Sequence, residues 1–146
     1  MDPDNFLKFA KLIEKNSPNY LINEETDCRT GIGRAQYSVF LEYREEIRLK
    51  IQKMDNTLAS KYQKLSNSGL IHGIILDIIW ECDRHLRNLY RNLRNHRNTA
   101  DYVMTTKISI TNLKAVNQLA DQVKNNIWIL QQAHLQKSRI KNILKR

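Results

Sequence analysis

The chain has 146 residues, 41% of them hydrophobic and 27% charged, which is the size and composition of one globular domain. Its 24 lysines and arginines outnumber its 15 aspartates and glutamates and leave a net charge of +9, which favours a polyanionic partner such as RNA or DNA. Two cysteines do not make a disulfide framework, and we interpret Cys28 and Cys82 as reduced thiols buried in a cytoplasmic protein. We expect neither a signal peptide nor a membrane span.

Apolar residues recur at three- and four-residue spacings along most of the chain, which predicts an all-α protein. With 4 glycines and 2 prolines, tight turns are scarce and long helices are expected. The first helix carries Pro3 in its first turn and ends near residues 16–18, before a loop over 17–25. Thr26 or Asp27 is the expected cap of the second helix.

The second helix contains Gly31 and Gly33 within its apolar pattern, and each lowers helix stability by roughly 1 kcal/mol relative to alanine. Their presence indicates that a neighbouring helix approaches closely. A short third helix is expected around residues 58–65, and the stretch 67–69, Asn-Ser-Gly, predicts a break after it.

The fourth helix has the clearest apolar stripe, from Ile71 to Leu93, and a connector is predicted over residues 99–106. A fifth helix follows over 108–130, and residues 137–146 form a basic tail. The predicted architecture is an antiparallel bundle of four to five helices, in which the whole chain is one domain with its core in residues 5–135.

Polar side chains are unusually dense where the fourth helix ends. Eight positions, 91–98, contain three arginines, three asparagines and one histidine. Arg91 and His96 are the candidate catalytic residues, and the residues predicted to bind RNA or its phosphates are Arg94, Asn95 and Arg97. Because Arg91 and His96 are five positions apart, they point about 140° from each other on an ideal helix. A working site then needs a frayed helix end, a bent arginine side chain or a second copy of the helix across a twofold axis.

The chemistry that such residues predict is transesterification of an RNA phosphodiester by the neighbouring 2′-hydroxyl. Histidine suits the transfer of protons to and from oxygen because its pKa lies near neutrality. Arginine suits the phosphate because its planar, permanently charged fork matches two oxygens. This reaction needs no metal or cofactor, and the remaining histidines, His72, His85 and His134, lack the spacing of a zinc site.

Two stretches resemble the signatures of HEPN domains, the higher eukaryote and prokaryote nucleotide-binding domains. Residues 28–41, with the sequence CRTGIGRAQYSVFL, are similar to the family's RTAISRAYYAxF segment, although Gly33 and Gln36 depart from it. Residues 71–93, followed by the RNxADY run of 97–102, resemble the second signature, in which a long helix ends in such a sequence. The order of the motifs and a final amphipathic helix fit as well.

The resemblance implies a homodimeric helical bundle that joins the two motifs in a cleft. It also implies a metal-independent endoribonuclease, with Arg91 holding phosphate, His96 as acid and base, and Asn92 orienting one of them. The residues that would be structural parts of the signatures are Arg34, Tyr37, Asp101 and Tyr102. Family members of this type are often toxins paired with a minimal nucleotidyltransferase (MNT-type) antitoxin, or serve phage defence. The RNA expected as the substrate is a tRNA or an mRNA.

Two other functions fit the sequence. A non-catalytic HEPN adaptor would bind a nucleotidyltransferase or an RNA without cutting it, and His96 would then have no chemical role. A basic helical DNA-binding module is less well supported, because no helix-turn-helix pattern with a short glycine-containing turn is present. In the simplest interpretation, the arginine-rich end of the fourth helix is only a solvated basic surface.

Overall fold

The computed structural model describes residues 2–20 and 24–146, and only the backbone of residues 16–20. The described residues form α-helices and no strand, which confirms the all-α prediction. In chain order the helices are α1 (Pro3–Tyr20), α2 (Glu24–Met54), α3 (Asn56–Leu65), α4 (Ile71–Cys82), α5 (Arg84–Tyr102), α6 (Ile110–Asn125), α7 (Ile127–Gln132) and α8 (Lys137–Ile143). Within these ranges no helix is both long enough and apolar enough to cross a membrane.

The helices belong to two compact units. Unit 1 comprises Met1–Leu41 and Leu89–Asn125, and unit 2 comprises Glu42–Asn88 and Asn126–Arg146. Helices α2 and α5 therefore contribute residues to both units, whereas each of the other helices belongs to one.

In unit 1, α1 packs against α6. The apolar side chains that the two helices bury are Leu7, Ala10, Ile13, Leu113, Val116, Ala120 and Val123. One polar side chain is buried with them: Asn117 is 2% exposed, and its amide nitrogen donates to the carbonyl oxygen of Ala10 and to the carboxylate of Glu14. Ion pairs of Lys11 with Asp121 and of Lys124 with Asp4 flank this contact.

Gly31 lies where α2 meets the α1 and α6 side chains, as its position in the pattern predicted. A methyl group at Gly31 would come within 2.8 Å of Leu113 Cδ1 and 3.6 Å of Ile13 Cδ1, whereas one at Gly33 would meet only Asp101 Oδ1 at 3.6 Å. The interior glycine at 31 therefore allows a close approach of apolar side chains, and the glycine at 33 does not require one.

We expect Gly31→Ala to be less stable than Gly33→Ala by about 1–3 kcal/mol, because only the first forces extra volume into a packed core. Both variants gain about 1 kcal/mol of helix propensity, so the difference between them isolates the steric effect. Urea unfolding of the two purified variants measures it. Equal midpoints would mean that Leu113 relaxes without cost.

In unit 2, α4 packs against α7 and α8. The buried apolar residues of α4 are Ile71, Ile74, Ile75, Leu76, Ile78 and Ile79, and α8 and the residue after it contribute Ile140 and Leu144. Residues 137–146 are thus packed, beyond the range 5–135 in which the core was expected. Ion pairs of Lys137 with Asp55 and of Arg146 with Asp77 attach this segment to unit 2.

The predicted fourth and fifth helices are each broken, and this part of the prediction was wrong. The backbone of Asp83 is extended, and its carboxylate accepts a hydrogen bond of 2.7 Å from the Leu86 amide, which caps the start of α5. The apolar stripe continues across this break, so periodicity alone did not reveal it. A turn at Asn126, whose side chain makes no capping hydrogen bond, separates α6 from α7.

Three other boundaries differ from the prediction. α1 extends to Tyr20 instead of ending near 16–18, and residues 21–23 of the predicted loop lie outside the described residues. α2 begins at Glu24, before Thr26 and Asp27. α5 continues to Tyr102 and α6 begins at Ile110, so the connector between them spans 103–109 instead of the predicted 99–106.

Candidate functional site

The candidate catalytic residues lie on the part of α5 that belongs to unit 1. Its inward side is formed by Tyr90, Leu93 and Ala100, each about 1% exposed. The polar residues between them that are exposed are Arg91, Asn92, Asn95 and His96. Arg94 is half-buried, and its buried Nε has no hydrogen-bond partner within the described residues.

Arg91 and His96 leave α5 in different directions. The helix is regular through both positions and on to Tyr102, so a frayed end does not bring them together. On a continuous helix the two side chains point about 140° apart. Asn92 and His96 share one side of the helix, as the four-residue spacing predicted. A joint action of Arg91 and His96 therefore requires either a bent Arg91 side chain or a second copy of the chain.

A cleft of about 410 Å³ in unit 1 joins the two motif stretches. The residues of α2 that line it are Thr30, Gly33, Arg34, Gln36 and Tyr37, and those of α5 are Arg97 and Asp101. Arg34, Tyr37 and Asp101, three of the four residues predicted to be structural, thus line the same cleft as Arg97, which was predicted to bind RNA. The fourth structural residue, Tyr102, is 69% exposed.

Aromatic rings and one carboxylate hold the two arginines of the cleft. Arg97 Nε lies 2.7 Å from Asp101 Oδ2, and its guanidinium carbon is 5.5 Å from the centre of the Tyr102 ring. Arg34 lies 5.4 Å from the Phe6 ring centre and has no carboxylate partner among the described residues. Two arginines against one carboxylate leave the cleft positive, which suits an anionic group such as a phosphate.

Arg29, which was not among the predicted site residues, contacts the end of α5 from within unit 1. Arg29 is 9% exposed, and its Nη1 donates to the carbonyl oxygens of Thr99, Ala100 and Val103 at 3.3, 2.7 and 3.3 Å. Its Nη2 donates to the carbonyl oxygen of Thr106 and, at 2.8 Å, to Glu25. The carbonyls of Thr99 and Val103 also accept from the amides of Val103 and Thr106, at 3.1 and 3.4 Å. Arg29 adds a charged donor to the carbonyl oxygens at the end of α5, where the helix dipole favours a cation.

A sequence signal for this role was present. Arg29 is three positions before the buried Ile32 and seven before the buried Gln36, which places it on the inward side of α2. A buried arginine at such a position requires several acceptors, and the carbonyls at a helix end supply them. The position alone could not identify which helix end these acceptors belong to.

The Glu25 carboxylate completes this cluster. Its hydrogen bond from Arg29, then its bond of 3.4 Å from the Ile108 amide, hold the pKa of Glu25 below its ordinary value of 4.5. A carboxyl whose pKa is lower in the folded state stabilises the fold above its unfolded pKa, and the contribution is lost as pH falls through the folded pKa.

We therefore expect the free energy of unfolding of Glu25→Gln to depend less on pH than that of the wild type below about pH 4.5, where wild-type Glu25 takes up its proton. The measurement is the urea midpoint of both proteins at several pH values from neutral to strongly acidic. Parallel curves would show that Glu25 does not contribute. Asp4, whose pKa is lowered by Lys124, continues to titrate in both proteins and serves as the internal reference.

The remaining reactive side chains do not form a second centre in the described ranges. Both cysteines are free; Cys28 is buried and Cys82 is half-buried, and burial raises the pKa of each thiol to about 11. His85 and His134 are exposed, and His72 is half-buried. No three histidine, cysteine or acidic side chains of the described residues are clustered in a way that could hold a metal ion.

Comparison of the chain with models of known protein families, with curated protein sequences and with solved structures gives no match. The class of protein that fold and site define is therefore an all-helical protein with a positive cleft beside an arginine- and asparagine-rich helix.

Proposed function

We propose that this chain is a HEPN-type endoribonuclease that cuts RNA without a metal ion and acts as a homodimer. The observation that carries the proposal is the meeting of the two motif stretches. Arg29 and Ala100, 71 positions apart in the sequence, are in hydrogen-bond contact, and a positive cleft lies beside them. The HEPN resemblance implies such a juxtaposition, and the basic net charge of the chain suits an RNA substrate.

In the proposed reaction the 2′-hydroxyl oxygen attacks the adjacent phosphorus and the bond to the 5′-oxygen breaks. His96 takes the proton from the 2′-hydroxyl or returns one to the leaving oxygen, and Arg91 binds the phosphate oxygens as negative charge accumulates. Asn92 shares the His96 side of α5 and orients that imidazole. Arg94, Asn95 and Arg97 hold neighbouring phosphates. The products carry a 2′,3′-cyclic phosphate and a 5′-hydroxyl.

The site is proposed to form from two copies. Because Arg91 and His96 of one chain diverge along α5, His96 of one copy faces Arg91 of the other across a twofold axis. Such a nuclease would act in the cytoplasm as a toxin or a phage-defence effector, restrained by a nucleotidyltransferase partner of the MNT type, with tRNA or mRNA as its substrate.

Incubation of the purified protein with tRNA and mRNA in excess EDTA tests the proposal. We expect fragments with 2′,3′-cyclic phosphate ends, which are identified by their resistance to phosphatase until acid treatment opens the ring. Fragments with 3′-hydroxyl ends would point to a hydrolytic contaminant. Intact RNA of every kind would contradict the proposal.

A second candidate function is that of a non-catalytic HEPN adaptor. It is favoured by the same divergence of Arg91 and His96, since a single chain presents no assembled catalytic pair. An adaptor would bind a nucleotidyltransferase or an RNA, and replacing His96 would change neither binding nor growth of cells that express it. Co-purification with a nucleotidyltransferase in the absence of any RNA cleavage would support this alternative.

A further inference from the structure

A tryptophan with two arginines against its ring lies in unit 2, apart from the residues assigned to cleavage. Trp80 is 43% exposed near the end of α4, although Ile78 and Ile79 beside it are fully buried. The guanidinium carbon of Arg84 is 4.6 Å from the centre of the indole ring system, and that of Arg87 is 5.1 Å from it. Both arginines belong to the first turn of α5, where the chain resumes after the break at Asp83.

No carboxylate of the described residues forms an ion pair with these two arginines. The acidic side chains closest in sequence are engaged elsewhere, because Glu81 lies 4.0 Å from Arg139 and Asp83 caps the Leu86 amide. The buried Nε of Arg87 also has no hydrogen-bond partner among the described residues.

The arginine pair does not serve the stability of α5. The first turn of a helix carries the positive end of its dipole, so Arg84 and Arg87 stand where positive charge is unfavourable. Contact with the indole ring orders the two guanidiniums, and their hydrogen-bond donors have no acceptor among the described residues. Residues whose charge opposes the local helix dipole are typical of binding sites.

We propose that Trp80, Arg84 and Arg87 form a binding site for single-stranded RNA. The exposed part of the indole stacks on one base, and the two guanidiniums pair with the flanking phosphates. A single strand fits better than a duplex, because only unpaired bases expose a face for stacking. The site goes beyond the proposed cleavage activity, since it contains none of the residues assigned to that reaction and requires no cutting.

The test is the affinity of the full chain for a short fluorescein-labelled 2′-O-methyl oligouridylate, measured by anisotropy. This strand lacks the 2′-hydroxyl nucleophile, so binding is measured without cleavage. We expect Trp80→Ala to weaken binding about tenfold. We expect the double variant Arg84→Gln/Arg87→Gln to reduce the slope of log affinity against log salt by about 1.4, as the loss of two contacts to single-stranded phosphates implies.

Two variants of unit 2 are matched controls. Trp128→Ala removes the other exposed tryptophan, 52% exposed, and Arg48→Gln removes a charge that is already paired with Glu45. Both should bind the oligouridylate as the wild type does. Trp80→Phe keeps an aromatic face and should retain most of the affinity, which separates stacking from a folding defect that circular dichroism would also reveal.

A direct measurement comes from Trp128→Phe, in which Trp80 is the remaining tryptophan. Its fluorescence should be quenched when the oligouridylate binds. The proposal would be overturned if the fluorescence were not quenched or if Trp80→Ala bound the oligouridylate as tightly as the wild type. It would also be overturned if the control variants lost as much affinity, or if the protein bound phosphatidylserine vesicles more tightly than the oligouridylate. Binding that depends on Trp80 in a protein that cuts no RNA would uphold this site and contradict only the proposed nuclease.

Discussion

Arg29→Met is expected to destabilise the protein by on the order of 3 kcal/mol, because it removes the one cation that several backbone carbonyls share. Methionine is unbranched and flexible like the arginine stem but donates no hydrogen bond. The carbonyls of Ala100 and Thr106, which the guanidinium satisfies in the wild type, would lose a charged donor in a part-buried site. Urea unfolding followed by circular dichroism measures the change.

Arg48→Met is the control for this replacement. Arg48 also forms a two-pronged ion pair, with Glu45 at 2.7 and 2.9 Å, but its side chain is 33% exposed against 11% for Arg29. A solvent-exposed ion pair contributes less than about 1 kcal/mol to the free energy of unfolding, because water readily replaces the interaction. Equal losses from both replacements would show that the buried cluster around Arg29 has no special role in stability.

The largest expected effect on activity is that of His96→Ala, which should slow RNA cleavage in EDTA about 10²–10⁴-fold if the proposed nuclease is correct. Loss of the imidazole removes proton transfer without disturbing the core, since His96 is exposed. The matched control is His85→Ala, which removes another exposed histidine of the same helix and should leave the rate unchanged. A rate that survives His96→Ala would exclude the assignment.

Mixing Arg91→Ala with His96→Ala tests whether the site is shared between copies. Each variant alone should be inactive, but a mixed dimer has one site in which both residues are intact. Random exchange would make half of the dimers mixed, with one working site of two, so about a quarter of the wild-type rate should return. No recovery after exchange, verified by differently tagged chains, would place the two residues in the same copy or in no common site.

Much of the fold followed from periodicity, and the errors have a common physical origin. The close approach at Gly31 was predicted because a glycine inside a helix leaves room for a neighbouring element. The break after α3 was predicted because an Asn-Ser-Gly sequence favours a turn. The breaks at Asp83 and Asn126 were not, because apolar positions on both sides of each break keep a helical spacing. A single non-helical residue can restart a helix without interrupting that pattern.

The sequence predicted which residues could form the candidate site, but not how they are arranged in space. The pattern located Arg91 and His96 and the angle between them, since that angle depends on helix geometry alone. The HEPN resemblance implied that the two motif stretches meet in a cleft. The pattern did not reveal which side chains line that cleft, or that Arg29 contacts the end of α5, because both depend on contacts between residues distant in the sequence. The arginine pair at Trp80 was missed although positions 80, 84 and 87 would share one face of a continuous helix.

The order in which the two units are encoded has a consequence for synthesis on the ribosome. The isoleucines of α4 are translated before α7 and α8, against which α4 packs. Unit 1 has all of its segments once Asn125 has been translated, whereas unit 2 then still lacks residues 126–146. The nascent chain therefore carries an incompletely covered apolar helix until residues 126–146 leave the exit tunnel. During this interval we expect it to be a chaperone client, and a chain truncated after Gln132 should aggregate.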